Sequence, residues 1–438
     1  MDINPVPKKR YNVLQPKWSS HAVIYQVNTR QFSEQGNFEG VRKGLSHIKS
    51  LGADIVWLMP VHPIGEKNKK GELGSPYAVK DYLAINPEFG SEEDFKALVD
   101  EAHKLSLKVI IDWVPNHSAW DNPLVEQHPE WYAKDYKGDF RPSPWWDWSD
   151  IIEFDYEHVG LRKYMINALC YWVEKFDIDG FRCDVAGYVP NDFWQQAVQT
   201  LSAIKPVFML AEWENRDLHE NAFNMTYAWS WNETLHELAH GQCSLDRLRK
   251  YYSWNERSWP HSAYRMTFVS NHDKNAWDGT QREQFGDALE ACIALSVVGE
   301  GMPLIHNGQE AGETKRLAFF ERDPIHWQEH EIGNLYRKLI ALKKSKAVLG
   351  NGEYGARMIQ VPNSKMDKVF SFVRCSENEK VFVVINFSNE QLDVTFEEPL
   401  FEGEYAHWER DEKTERRAPP VARRRRPSRL GRRKSACR

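Results

Sequence analysis

Residues 108–117 read KVIIDWVPNH. Val109, Ile110, Ile111 and Trp113 make a short, β-branched and aromatic run that Pro115 closes, the length and composition of a buried strand. The residues before it are of another kind. Across 92–105, Phe95, Leu98, Val99 and Ala102 recur at helical spacing and define one apolar face. A helix leading into a buried strand is half of a βα repeat, and the remaining question is how often it recurs.

Working outward, similar strands are expected at 23–29 (VIYQVNT), 54–60 (DIVWLMP), 180–186 (GFRCDVA), 207–212 (VFMLAE), 225–231, 266–271 (MTFVSN) and 302–307 (MPLIHN). Amphipathic helices are expected at 40–51, 161–176, 285–298 and 332–344. Eight strands alternating with helices over some 320 residues predict an α/β fold of the (β/α)8 TIM-barrel type, which fits the count better than an open sheet. After the third strand the next helix is delayed to about residue 160, and the gap holds RPSPWWDWSD. An excursion of that length is read as a small inserted domain. Beyond 346, period-two segments at 368–374, 381–387 and 392–396 predict an appended antiparallel β domain. The expected organisation is therefore an extension over 1–19, a barrel over 20–346 interrupted at 118–158, a β domain over 347–408 and a tail over 409–438.

Composition narrows the function. The chain has 438 residues, 41% of them apolar, and a formal net charge of −6. Residues 409–438 carry +9 of that, leaving −15 on the remainder. An acidic body disfavours a polyanion, so no nucleic-acid partner is expected for the main domain. The tail reads either as an anion-binding arm or as an aberrant, frame-shifted end, and no function is built on it. No window approaches 18 apolar residues, so no membrane partner is expected. The six cysteines form no CxxC pair and read as reduced core thiols. With no apolar leader at the start, the expected compartment is the cytoplasm, a mature secreted or periplasmic form being the alternative.

Active sites of such barrels lie where the strands end. The third strand ends in Asp112-Trp113-Val114-Pro115-Asn116-His117, the fourth carries Arg182-Cys183-Asp184, the fifth ends in Glu212 and the seventh in Asn271-His272-Asp273. Like charges are costly to gather, so their collection on one rim points to chemistry. Carboxylates with an arginine, histidines and aromatic faces suit acetal hydrolysis: one carboxylate stabilises or attacks a cationic anomeric carbon and another protonates the leaving oxygen. Arg182 and Asp184, two residues apart, share a strand face, where the guanidinium holds the carboxylate ionised. Glu212, facing the charge of Asp184, is the better proton donor.

In order, DWVPNH, GFRCDVAGY, LAEWEN and FVSNHD resemble the four signature regions of the alpha-amylase family of glycoside hydrolases, over roughly residues 20–405. The resemblance implies a retaining glycosidase with Asp184 as nucleophile, Glu212 as general acid/base and Asp273 as the third carboxylate, gripping sugar hydroxyls. It implies sugar contacts by Tyr77, His117, His272 and Arg182, with Asp112 supporting the site. It implies no organic cofactor. Asn116 and Asp155 resemble oxygen ligands of a structural calcium (Ca2+). Many alpha-amylases follow the nucleophile with a Lys-His pair where this chain has Gly187-Tyr188, which weakens both the calcium and the leaving-group inferences. Trp145, Trp146 and Trp148 read equally as outer sugar platforms and as the inserted domain's own core.

The substrate expected from this resemblance is a starch-type α-glucan or maltooligosaccharide, cleaved mainly at α-1,4 bonds. Alternatives are a glucosyltransferase, a cyclomaltodextrinase or α-1,6-acting relative, and a non-catalytic glucan-binding protein. The presence of all three carboxylates argues against the last.

Overall fold

The computed structural model describes residues 12–143, 146–397 and 399–403, together with 405, 406 and 408. The expected 409–438 tail and Trp145 lie outside the described residues, as does the extension up to residue 11. Eight parallel strands close into a barrel: β1 (Ile24–Val27), β2 (Ile55–Leu58), β3 (Lys108–Trp113), β6 (Gly180–Cys183), β7 (Phe208–Ala211), β8 (Met225–Tyr227), β9 (Tyr264–Thr267) and β10 (Met302–His306), with β1 bonded to both β2 and β10. The two strands between β3 and β6 belong to the excursion. There β4 (His117–Ala119) pairs antiparallel with β5 (Ile151–Glu153). After the barrel, β11 (Met358–Gln360), β12 (Val369–Cys375) and β13 (Lys380–Asn386) form an antiparallel sheet.

Side-chain parity sorts the barrel into two cores. Ile24, Ile55, Trp57, Ile110, Leu210, Met266 and Leu304 point inward and fill the cylinder. Their neighbours Tyr25, Val56, Leu58, Ile111, Phe181 and Met209 point outward, under helices such as Phe38–Ser50, Glu92–Lys104 and Val159–Phe176. The helix Glu92–Lys104 starts on a capping box, Ser91 accepting from Asp94 N–H while the Asp94 carboxylate accepts from Ser91 N–H. Because successive residues alternate faces, the inward series continues past Ile110 to Asp112 and past Leu210 to Glu212. Gly180 opens β6 because a Cβ there would stand 1.9 Å from the Phe208 carbonyl oxygen of the next strand.

Three expectations shift. The strand expected at 225–231 ends at Tyr227, and Trp229 already belongs to the helix Trp229–Ala239. The strand expected at 266–271 runs Tyr264–Thr267, leaving the residues after it as the loop that carries His272 and Asp273. The segment 392–396 contributes an isolated bridge, Asn363 with Phe396, rather than a strand, and the sheet takes Met358–Gln360 instead. Of the cysteines, Cys183 and Cys292 are buried, and Cys170, Cys243 and Cys375 are half-buried free thiols. Among the described residues no helix is long and apolar enough to cross a membrane.

Candidate active site

At the C-terminal rim the inward series turns polar around one buried cation. Arg182, at the end of β6, is fully inaccessible. Its Nη1 donates to Asp112 Oδ1 at 2.7 Å and to Asp184 Oδ1 at 2.8 Å. Its Nη2 stands 3.1 Å from Glu212 Oε2, and its Nε donates to the Tyr227 hydroxyl at 3.2 Å. Register explains the meeting, since Asp112 is directly paired with Arg182 across β3 and β6. The Glu212 N–H donates to the Cys183 carbonyl, which carries the β6–β7 ladder one residue beyond the end of β7.

Protons distribute unevenly among the three carboxyls. Burial pushes Asp112 up to about 7 against the pull of Arg182. Burial drives Glu212 well above the usual carboxyl range, opposed by Arg182 and reinforced by Asp184 and Asp273. Asp112 nonetheless faces donors alone: Arg182, the Trp57 indole N–H at 3.1 Å and the Tyr77 hydroxyl at 3.0 Å. Acceptance from three donors favours the ionised form there, so the proton of the cluster belongs on Glu212. Glu212 Oε2 accepts from Val185 N–H at 2.7 Å and faces Arg182, which leaves Oε1 as the oxygen to carry that proton. On Asp184, Oδ1 is the oxygen engaged by Arg182.

His272 has its tautomer set by a residue that motif reading did not single out. Gln26, inward on β1, accepts from the His272 backbone N–H at 3.2 Å, so its amide nitrogen is the atom 2.7 Å from His272 Nδ1. An amide N–H there makes Nδ1 an acceptor and puts the ring proton on Nε2. Nε2–H then donates to the Tyr77 oxygen at 2.7 Å, and the Tyr77 hydroxyl donates to Asp112. Burial, then Arg182, keeps this imidazole well below its ordinary pKa and hence neutral. Tyr77 stacks on His272 with ring centroids 5.5 Å apart at 16°, and on Phe319 at 6.1 Å and 15°.

Asp273 sits 3.3 Å from His272 Nε2, one third exposed, and burial among these groups raises it to about 6. His117 is buried, lowered by that burial, and its Nδ1 accepts from the Asn116 amide at 3.2 Å. Asp112, Asp184, Glu212, Asp273, Tyr77, His117, Arg182 and His272 thus fall within one linked cluster. Gln26, Trp57, Tyr227 and Val185 join it; the first three share the inward parity of their strands, a signal that was present but unmarked by charge.

Asn116 and Asp155 flank the β4–β5 pair, Asn116 just before β4 and Asp155 just after β5. The Asn116 backbone carbonyl accepts from Phe154 N–H, its side-chain Nδ2 donates to His117 Nδ1, and Asp155 Oδ1 accepts from Glu157 N–H. Calcium takes six to eight oxygens, and among the described residues no three His, Cys, Asp or Glu side chains gather for a metal. Of the insertion's tryptophans, Trp148 packs with Ala78, Ala119 and Ile151, whereas Trp146 is 57% exposed.

The family model for the alpha-amylase catalytic domain matches residues 20–346, and that for the alpha-amylase C-terminal all-beta domain matches 361–415. The chain belongs to the alpha-amylase family. A noncanonic maltogenic alpha-amylase from Thermotoga neapolitana shares the fold at a TM-score of 0.80 and 35% identity, over 86% of this chain and 88% of that one. An alpha-amylase from Lactobacillus plantarum gives 0.78 and 34%, over 86% and 90%. An alpha-amylase of Haloarcula japonica is 26% identical over 400 residues, covering 86% of this chain and 57% of its own length.

Proposed function

We propose that this chain hydrolyses α-glucosidic bonds, chiefly α-1,4, in starch-type glucans or maltooligosaccharides by a retaining double displacement. The observation that carries the reading is one buried guanidinium, Arg182, in contact with carboxyls from three adjacent strands. Contacts of 2.8 and 3.1 Å to that one group keep Asp184 and Glu212 close, as a retaining pair about 5–5.5 Å apart requires. Asp184 Oδ2 attacks the anomeric carbon while Glu212 Oε1 gives its proton to the departing oxygen. Water then attacks the glycosyl ester, Glu212 takes the water's proton and Asp184 is released. Tyr77 offers a ring face to the sugar, and neutral His272 and Asp273 meet its hydroxyls. The chemistry draws on side chains and water, and no step runs through a metal.

The 35% identity to a maltogenic alpha-amylase supports a glucan substrate. Incubation with soluble starch, maltotriose, pullulan and cyclodextrins, followed by product analysis, tests the class. Proton NMR of fresh product shows the α-anomer first if the mechanism retains configuration. Glu212→Gln lowers kcat by roughly 10²–10⁴ while maltotriose still binds by calorimetry; unchanged turnover refutes its role as acid.

A further inference from the structure

The opposite pole of the barrel carries a cleft that the chemistry at the rim leaves unused. It lies where β9 and β10 begin, bounded by the last turn of the helix Leu245–Ser258, the segment 259–265 and the residues just before β11. Its free space, counted to the open mouth, is about 340 Å3, within the ~300–1,000 Å3 usual for small-molecule sites. Asn255, Trp259, His261, Arg265, Glu300 and Arg357 line it. Three of these side chains have a polar atom with no hydrogen-bond partner among the described residues: Asn255 Oδ1, Trp259 Nε1 and His261 Nε2. Asn255 and Trp259 are only 6% and 3% exposed, and polar groups so buried are normally paired.

The unpaired atoms define the chemistry of a partner. Asn255 Oδ1 calls for a donor, and the Trp259 indole N–H calls for an acceptor. Burial, then Arg357 and Arg374, holds His261 down to about 4, so its imidazole is neutral at pH 7 and Nε2 takes either role. The charges of the cleft already have partners. Arg265 pairs with Glu214 while its guanidinium lies 3.9 Å from the Trp259 ring centroid, and Arg357 Nη1 stands 3.1 Å from Glu300 Oε2. An anion would serve the indole and leave the amide oxygen unpaired; a cation would do the reverse, beside two arginines. A hydroxyl serves both. Against Trp259, edge to face at 4.7 Å, stands Trp254, which is 47% exposed and offers a flat apolar face to solvent.

We propose that this cleft is a second, non-catalytic binding site for a neutral pyranose, its hydroxyls joining Asn255, Trp259 and His261 and its C–H face lying against Trp254. Each sugar hydroxyl both donates and accepts, and a pyranose face stacks on an indole as a linear polyol does not. The cleft and the rim stand at opposite ends of the strands, so a sugar bound here touches no reacting atom. The site is independent of the reading of the rim as catalytic.

The test follows the Trp259 indole N–H by nitrogen-15 NMR during titration with D-glucose, the resonance being assigned by its disappearance in Trp259→Phe. Wild type shows a saturable shift with a Kd on the order of 1–10 mM, the affinity of a few neutral hydrogen bonds and one stacked ring. Asn255→Leu, similar in volume but without the acceptor, weakens binding roughly tenfold, and Trp254→Ala on the surface weakens it roughly fivefold. If thermal melts show that Asn255→Leu does not fold, His261→Phe replaces it with the same expectation. Sodium sulfate leaves the resonance in place. Glu212→Gln keeps the full glucose shift, so failure of the catalytic assignment and failure of this site are separately visible. The proposal is overturned by no glucose shift in wild type, which leaves the cleft to water, or by an equal shift with sulfate. Loss of the shift in Glu212→Gln, or an unchanged Kd in both the cleft variant and Trp254→Ala, overturns it as well.

Discussion

Arg182→Lys keeps a positive charge at the centre of the site and removes its fork. The guanidinium serves four oxygens, on Asp112 at 2.7 Å, Asp184 at 2.8 Å, Glu212 at 3.1 Å and Tyr227 at 3.2 Å. An ammonium is a single point with three donors on a different stem, and it cannot span all four. At least one charge-assisted contact is lost, worth about 1.5–3 kcal/mol. If that contact is to Asp184 or Glu212, kcat falls roughly 10- to 100-fold. Because Arg182 opposes burial in holding Glu212 down, a weaker grip raises the acid's pKa, so the alkaline limb of kcat moves to higher pH. The assay is kcat for maltotriose across pH, paired with a thermal melt to show that the variant is folded. A kcat within about twofold of wild type, with the alkaline limb unmoved, would refute the claim that this one side chain organises the site.

Asp179, buried below the barrel, is a separate test of electrostatics. Against the opposing effect of burial, His103, the Val109 N–H, Lys205 and Lys108 hold it down to about 2. A depressed carboxyl stabilises above its unfolded pKa and loses that contribution as pH falls through its folded value. Asp179→Asn therefore costs about 2 kcal/mol at pH 7 and almost nothing near pH 2, read from urea midpoints. Gln26→Leu frees the His272 ring and lowers kcat/KM roughly tenfold, the worth of one or two neutral hydrogen bonds. Nitrogen-15 shifts of wild-type His272 report an unprotonated Nδ1, and a protonated one contradicts the tautomer argued from Gln26. If Asn116 and Asp155 hold a structural ion, a chelator lowers the melting temperature by several degrees, and an unchanged melt counts against it.

Most of the barrel was legible because two periodicities coincide with burial. Strands such as IVWL at 55–58 and the helix around Phe95 and Val99 obey the spacing that packing on one face demands. Boundaries failed where a charge is hidden. β9 begins at Tyr264, and its second residue is Arg265, 4% exposed, with its guanidinium 3.9 Å from the Trp259 ring centroid and its charge met by Glu214. A buried arginine looks like a strand end in sequence. Likewise, one residue separates β8 from the helix Trp229–Ala239, so MTYAWSW reads as continuous strand. In the site, charged residues announced themselves, whereas Gln26 depends on register.

The most strained residue near the chemistry shows why the cluster persists. Val185 has φ +36°, in the left-handed region that a β-branched side chain avoids, at a cost of about 1–3 kcal/mol. That turn directs its N–H to Glu212 Oε2 one residue after Asp184, which ties both carboxyls of the proposed pair to a single bend. Arg182 then offsets the charge that the bend gathers. Remove the bend and Glu212 loses the N–H donor on its Oε2; remove the arginine and three clustered carboxyls, two of them buried, are left without their shared cation. Strain at 185 and charge at 182 thus act on the same pair of carboxyls.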